Sequence, residues 1–186
     1  MKITFNSPAI LTFSFISAAV YILTGPLGLF KSAFILFPVW DFSHFEWYFR
    51  LFSNTVGHAS SNHLMGNLAL ILLLGPIVEE KYGSKNMIFM ILITAVVTSL
   101  IHISFSNSAL LGASGIVFML ILLVSMANFK NNQIPLTFIL IVIIYLGKEI
   151  LGFFQDDNIS HTTHIIGGLL GAVFGYLFSQ MKIKKG

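Results

Sequence analysis

Six apolar stretches, at roughly 8–30, 63–80, 86–106, 114–129, 134–152 and 162–180, dominate this sequence. Each approaches the length of about 20 residues that a helix needs to cross a bilayer. Charged residues make up 9% of the chain and hydrophobic ones 56%, against roughly 25% charged in an ordinary soluble domain. A soluble globule of 186 residues could not cover its apolar surface with so few charges. A soluble enzyme and a disordered tail are excluded on that ground. The net charge is +3, but the basic residues are too scattered for a phosphate-tracking stripe, so no nucleic-acid partner is expected. With no cysteine there can be no disulfide, thiolate nucleophile or Cys-ligated metal.

The expected fold is an all-α polytopic membrane protein, one domain over residues 1–186, with a six-transmembrane-helix bundle. The first stretch is too long for the apolar core of a signal peptide and lacks a small-residue cleavage site, so it reads as a retained span. The fourth is short: at about 1.5 Å per residue it reaches only about 24 Å, less than the hydrocarbon thickness. Such a helix must sit in a thinned bilayer or start below the surface, shielded by protein. Six spans put both termini on one side, with the 81–85 and 130–133 connections. That side carries Lys2, Lys81, Lys85, Lys130, Lys182, Lys184 and Lys185. The other carries only Lys31, Arg50 and Lys148, with Asp41, Glu46, Glu149, Asp156 and Asp157. The asymmetry predicts cytoplasmic termini and an external connection 31–62, whose aromatics, Trp40, Phe42, Phe45, Trp47, Tyr48, Phe49 and Phe52, suit the headgroup region.

Polar side chains within spans mark function by default. Three groups stand out: His63 with Asn67, Gly112–Gly115 containing Ser114, and His164 followed by Gly167, Gly168 and Gly171. His63, Ser114 and His164 each open a span from the external side, so the topology brings all three to one depth. The glycines around Ser114 permit a tight turn, and a serine at a helix start has free backbone N–H groups beside it. The plainer reading is a helix cap. His164 is the candidate base for Ser114, and the glycines below it permit close helix approach; the plainer reading is a packing helix with an interfacial histidine. His161, one turn earlier, is a weaker candidate for the base. His63 and Asn67, at i and i+4, share a face and can both donate to a developing oxyanion, or form a packing pair. No carboxylate reads as lying at the depth of His164, so a Ser–His dyad is expected rather than a triad.

These residues resemble the rhomboid family of intramembrane serine proteases, from about residue 45 to 178. The family's G-x-S-G corresponds to Gly112–Gly115, its H-x-x-G-x-x-x-G to His164, Gly167 and Gly171, and its H-x-x-x-N to His63 and Asn67. Arg50 fills the place of a loop arginine 13 residues before that histidine, and His58 matches a further loop histidine. Glu79, in Gly75–Gly83, matches a structural glutamate. Phe118 stands where many relatives have tyrosine; it can stack on His164 but offers no hydroxyl. Thr163 and Asn54 depart from common alanine and histidine. The resemblance implies the minimal six-helix form of bacterial members, in the inner membrane.

The implied activity is hydrolysis of peptide bonds in or beside transmembrane segments of membrane-protein substrates. Ser114 is the expected nucleophile and His164 the general base and acid; the Ser114 backbone N–H, His63 and Asn67 are the expected oxyanion donors. No cofactor or metal is called for. The rivals are a rhomboid-like pseudoprotease, which would lack the serine or histidine, and a small transporter, which would show charges or broken helices near the midplane.

Overall fold

The computed structural model describes residues 2–126, 134–152 and 160–183. The expected charges at Lys130, Asp156, Asp157, Lys184 and Lys185 lie outside them. The described residues form eight α-helices: α1 (Pro8–Thr24), α2 (Phe45–Ser53), α3 (Ser61–Tyr82), α4 (Ser84–Phe105), α5 (Ser114–Ser125), α6 (Leu136–Ile141), α7 (Gly147–Gly152) and α8 (His161–Ile183). The described residues contain no strand beyond one isolated bridge, between Leu36 and Leu110. Two helices, α3 and α4, are each long and apolar enough to cross a membrane. Both run over 22 residues, a rise of about 33 Å.

Local sequence sets the boundaries. Pro8 opens α1, where its missing N–H costs nothing. The apolar stretch at 8–30 is not helical to its end: α1 stops at Thr24, because Gly25 precedes Pro26 and cannot easily hold helical dihedrals there. Gly28 and Phe30 then turn the chain with φ of 67° and 54°. Ser60 caps α3, its Oγ accepting from the His63 backbone N–H at 3.2 Å, and Gly83 (φ 82°) separates α3 from α4. The stretch 134–152 is also not one regular helix. A π-helical turn, Val142–Leu146, lies between α6 and α7, an insertion often found at functional sites.

The core centres on α5. Eight of its twelve residues are buried, so it is apolar on every side and enclosed by its neighbours. Ile116, Met119, Leu120 and Leu123 pack there with Ile10 of α1, Ile71 of α3, Met87 and Met90 of α4, and Phe174 of α8. Glu79, itself buried, joins three helices at one end. Its carboxylate accepts from the Ala9 and Ile10 backbone N–H groups at 2.9 and 3.0 Å, and from Ser84 Oγ at 2.7 Å. The negative charge thus meets the partial positive charge of the α1 N-terminus.

The connection 31–62 folds over the opposite end. Leu36, Trp47 and Leu51 pack against Ile103 of α4 and Leu110. Arg50 Nε donates to the Ser32 carbonyl at 3.0 Å, and its guanidinium lies 5.2 Å from the Phe37 ring centroid. Asn54 Nδ2 donates to Ser99 Oγ at 2.8 Å, while the Asn54 backbone carbonyl accepts from the Gly112 N–H at 2.8 Å. These bonds fix the segment that leads into α5.

Candidate active site

The Gly112–Gly115 turn delivers Ser114 as the first residue of α5. Ala113, not Ser114, occupies the N-cap position, so capping does not account for the serine. Gly112 has φ of 132°, a region that L side chains avoid, and a Cβ there would stand 2.5 Å from His63 Cε1. Glycine at 112 therefore meets two demands at once, one conformational and one steric.

Helix α8 lies against α5 backbone to backbone. A Cβ on Gly167 would collide with the Gly115 carbonyl oxygen, and one on Gly171 with the Met119 carbonyl oxygen. Thr163 closes over Gly115. The glycine stripe thus faces α5, whereas Gly168 faces Leu146 in the π-helical turn. On the same side of α8, the His164 imidazole is stacked on Phe118, with ring centroids 4.4 Å apart and planes 7° from parallel. Phe118 is four residues beyond Ser114, on the same face of α5.

The carboxylate judged absent from the sequence is present. Glu149 Oε2 accepts from His164 Nδ1 at 2.7 Å and from His161 Nδ1 at 2.6 Å. Its side chain is 5% exposed, so it is no solvated loop charge. The physical reason is local: α7 packs on the start of α8, where Gly152 leaves room for the His161 ring. Two imidazole N–H groups then compensate the buried charge, as burial requires. The expectation of a histidine with no carboxylate partner is corrected. His161 is likewise buried beside Glu149.

Asn67 is buried, and its Nδ2 lies 3.0 Å from His58 Nε2. His58 Nδ1 lies 3.2 Å from the Val56 carbonyl. The donor there must be Nδ1–H, so Nε2 accepts from the Asn67 amide. Burial, followed by the nearby His63 ring, lowers the His58 pKa to about 4, which keeps it neutral in this role. The His58 and His63 rings meet edge to face, 5.0 Å apart. One Asn67 N–H is thus committed to the loop.

Ser114, His164, His63 and Asn67 all line one cavity of about 1400 Å³, together with Phe118, Tyr145 and Glu149. A second polar chain stands behind it. His102, 1% exposed, bonds the Ser108 carbonyl through Nε2 at 2.8 Å and Ser160 Oγ through Nδ1 at 3.0 Å. Ser160 in turn bonds Thr163 Oγ1, tying α4 to the start of α8. Neither His102 nor Glu149 stands out in the sequence as a site residue. The one available signal for Glu149 is its place near the end of an apolar stretch.

Residues 45–181 match the rhomboid domain family. The chain is 21% identical over 136 residues to the rhomboid protease GlpG of Haemophilus influenzae, covering 72% of this chain and 71% of that one. It is 33% identical over 134 residues to rhomboid-related protein 1 of Caenorhabditis elegans, covering 64% of this chain and 37% of the relative. It is also 34% identical over 134 residues to the rhomboid protease GluP of Bacillus subtilis, covering 69% and 25%. The last two relatives are therefore much longer than the matched region.

Proposed function

Because the chain belongs to the rhomboid family, we propose that it is an intramembrane serine endopeptidase whose nucleophile is Ser114 and whose base is His164. One observation carries the assignment. His164 lines the same cavity as Ser114 while its Nδ1 is held by Glu149 at 2.7 Å. An Nδ1–H donated to a carboxylate leaves the Nε2 lone pair free on the opposite edge of the ring. That is the tautomer a general base needs.

Ser114 Oγ attacks the scissile carbonyl as His164 Nε2 takes its proton, and the imidazolium later protonates the leaving amine. Glu149 keeps the ring in register and offsets its transient positive charge. The developing oxyanion is met by the Ser114 backbone N–H, free at the start of α5, with His63 and the second N–H of Asn67. Phe118 holds the imidazole by stacking and contributes no proton.

The substrates are transmembrane segments, whose backbone bonds are internally satisfied and must open before cleavage. The molecule crosses the bilayer six times, through α1, α3, α4, α5, the α6–α7 unit with its π-helical turn, and α8. Its termini face the cytoplasm and the cavity opens to the other side, in a bacterial inner membrane. The test is cleavage of a model transmembrane substrate by the purified protein. Ser114→Ala and His164→Ala should each abolish it while the protein stays folded; wild-type turnover in either variant would overturn the assignment.

A further inference from the structure

Two histidines and a glutamate converge on one point beside the base. His161 and His164, three residues apart, project from one face of α8, and Glu149 reaches them from α7. Both Nδ1 atoms lie within hydrogen-bond distance of the same carboxylate oxygen. One ligand atom from each of the three residues falls within 4.8 Å of the others. The side chains are 9%, 12% and 5% exposed, yet all three line the cavity, so an ion could reach them from it. The His164 ring is fixed by Phe118 and the His161 ring is confined by Gly152. Two imidazoles and one carboxylate lining a cavity are the donor set of an open zinc site.

We propose that Glu149, His161 and His164 form an inhibitory binding site for a divalent transition ion of the zinc type. Zinc bonds to nitrogen and carboxylate oxygen run about 2.0–2.2 Å, so tetrahedral ligands stand roughly 3.3 Å apart: Glu149 withdraws by about 0.7 Å, and ligand atoms now up to 4.8 Å apart close by about 1.5 Å. Binding breaks both N–H···O bonds. Each imidazole gives its Nδ1 lone pair to the ion and carries its proton on Nε2 instead, so no proton is lost overall. His164 then presents Nε2–H to Ser114 and cannot accept the serine proton. The inhibition rests on the catalytic reading above; the binding does not.

The experiment uses tag-free full-length protein in detergent. Zinc binding is measured by competition with a chromophoric chelator, and cleavage of a transmembrane substrate is followed at the same free zinc. The wild type should bind one ion per chain and lose cleavage in parallel, with recovery on adding a chelator. Magnesium, which prefers oxygen ligands, should do neither. His161→Ala should bind zinc at least about tenfold more weakly, by comparison with losses on disturbing metal shells. Because His161 also bonds Glu149, the variant's basal cleavage should be lower but measurable, and that remaining rate should persist at zinc levels that silence the wild type. No binding by the wild type, or unchanged affinity in His161→Ala, would overturn the site. Binding that leaves wild-type cleavage intact would overturn the inhibitory role. A wild type that binds zinc but never cleaves would instead overturn the protease assignment and leave the site standing.

Discussion

At the scale of single residues, Glu149 changes the chemistry available to His164. A buried carboxylate must be compensated, and here two imidazole N–H groups do so. The same bonds fix the tautomer of His164. Replacing the carboxylate by an apolar group of similar size should therefore lower kcat with little change in KM. Removing the orienting aspartate of a soluble serine protease costs about 10⁴-fold in kcat. Glu149→Leu should cost less, on the order of 10–10²-fold, because Phe118 still holds the ring. Glu149→Gln, which retains an oxygen acceptor, should fall between. Steady-state cleavage kinetics check this, and a wild-type kcat in Glu149→Leu would reduce the carboxylate to a packing role.

At the scale of elements, the α5–α8 contact sets the separation of Ser114 and His164, which line one cavity. Gly171 lies about 10 Å along the helix axis from His164, at roughly 1.5 Å per residue, so a side chain there reaches no substrate. It would strike the Met119 carbonyl instead. Gly171→Val should wedge the helices apart and abolish cleavage while the protein remains membrane-inserted. Gly168→Ala should be milder, since its Cβ meets the flexible ends of Leu146 and Leu122. Wild-type turnover in Gly171→Val would show that helix separation does not control the site. The all-α character and the grouping of His63, Ser114 and His164 were legible in the sequence, because apolar runs and the polar residues interrupting them follow from bilayer physics. Glu149 was not legible. A glutamate at the end of an apolar stretch reads as a loop charge until the helix packed against it is known. His102 escaped for a similar reason: its partners, Ser108 and Ser160, are up to 58 residues away. The π-helical turn within 134–152 leaves no mark in hydropathy at all.

At the scale of the whole molecule, the outward faces are apolar. Phe15, Leu73, Phe89, Val173 and Leu177 are all exposed, an arrangement tolerable only against lipid or a partner. The proposed orientation in that lipid rests on the excess of lysine on one set of connections. A reporter active only in the cytoplasm should work when fused after Gly186, and an external reporter should fail there. The reverse result would turn the cavity toward the cytoplasm.

Activation of Ser114 by His164 has a direct chemical readout. A serine-directed fluorophosphonate is added to the purified protein in detergent, and the modified residue is mapped by mass spectrometry. A single adduct on Ser114 is expected in the wild type, and none in His164→Ala despite an intact Ser114. Labelling of another residue, or undiminished labelling of Ser114 in folded His164→Ala, would contradict it.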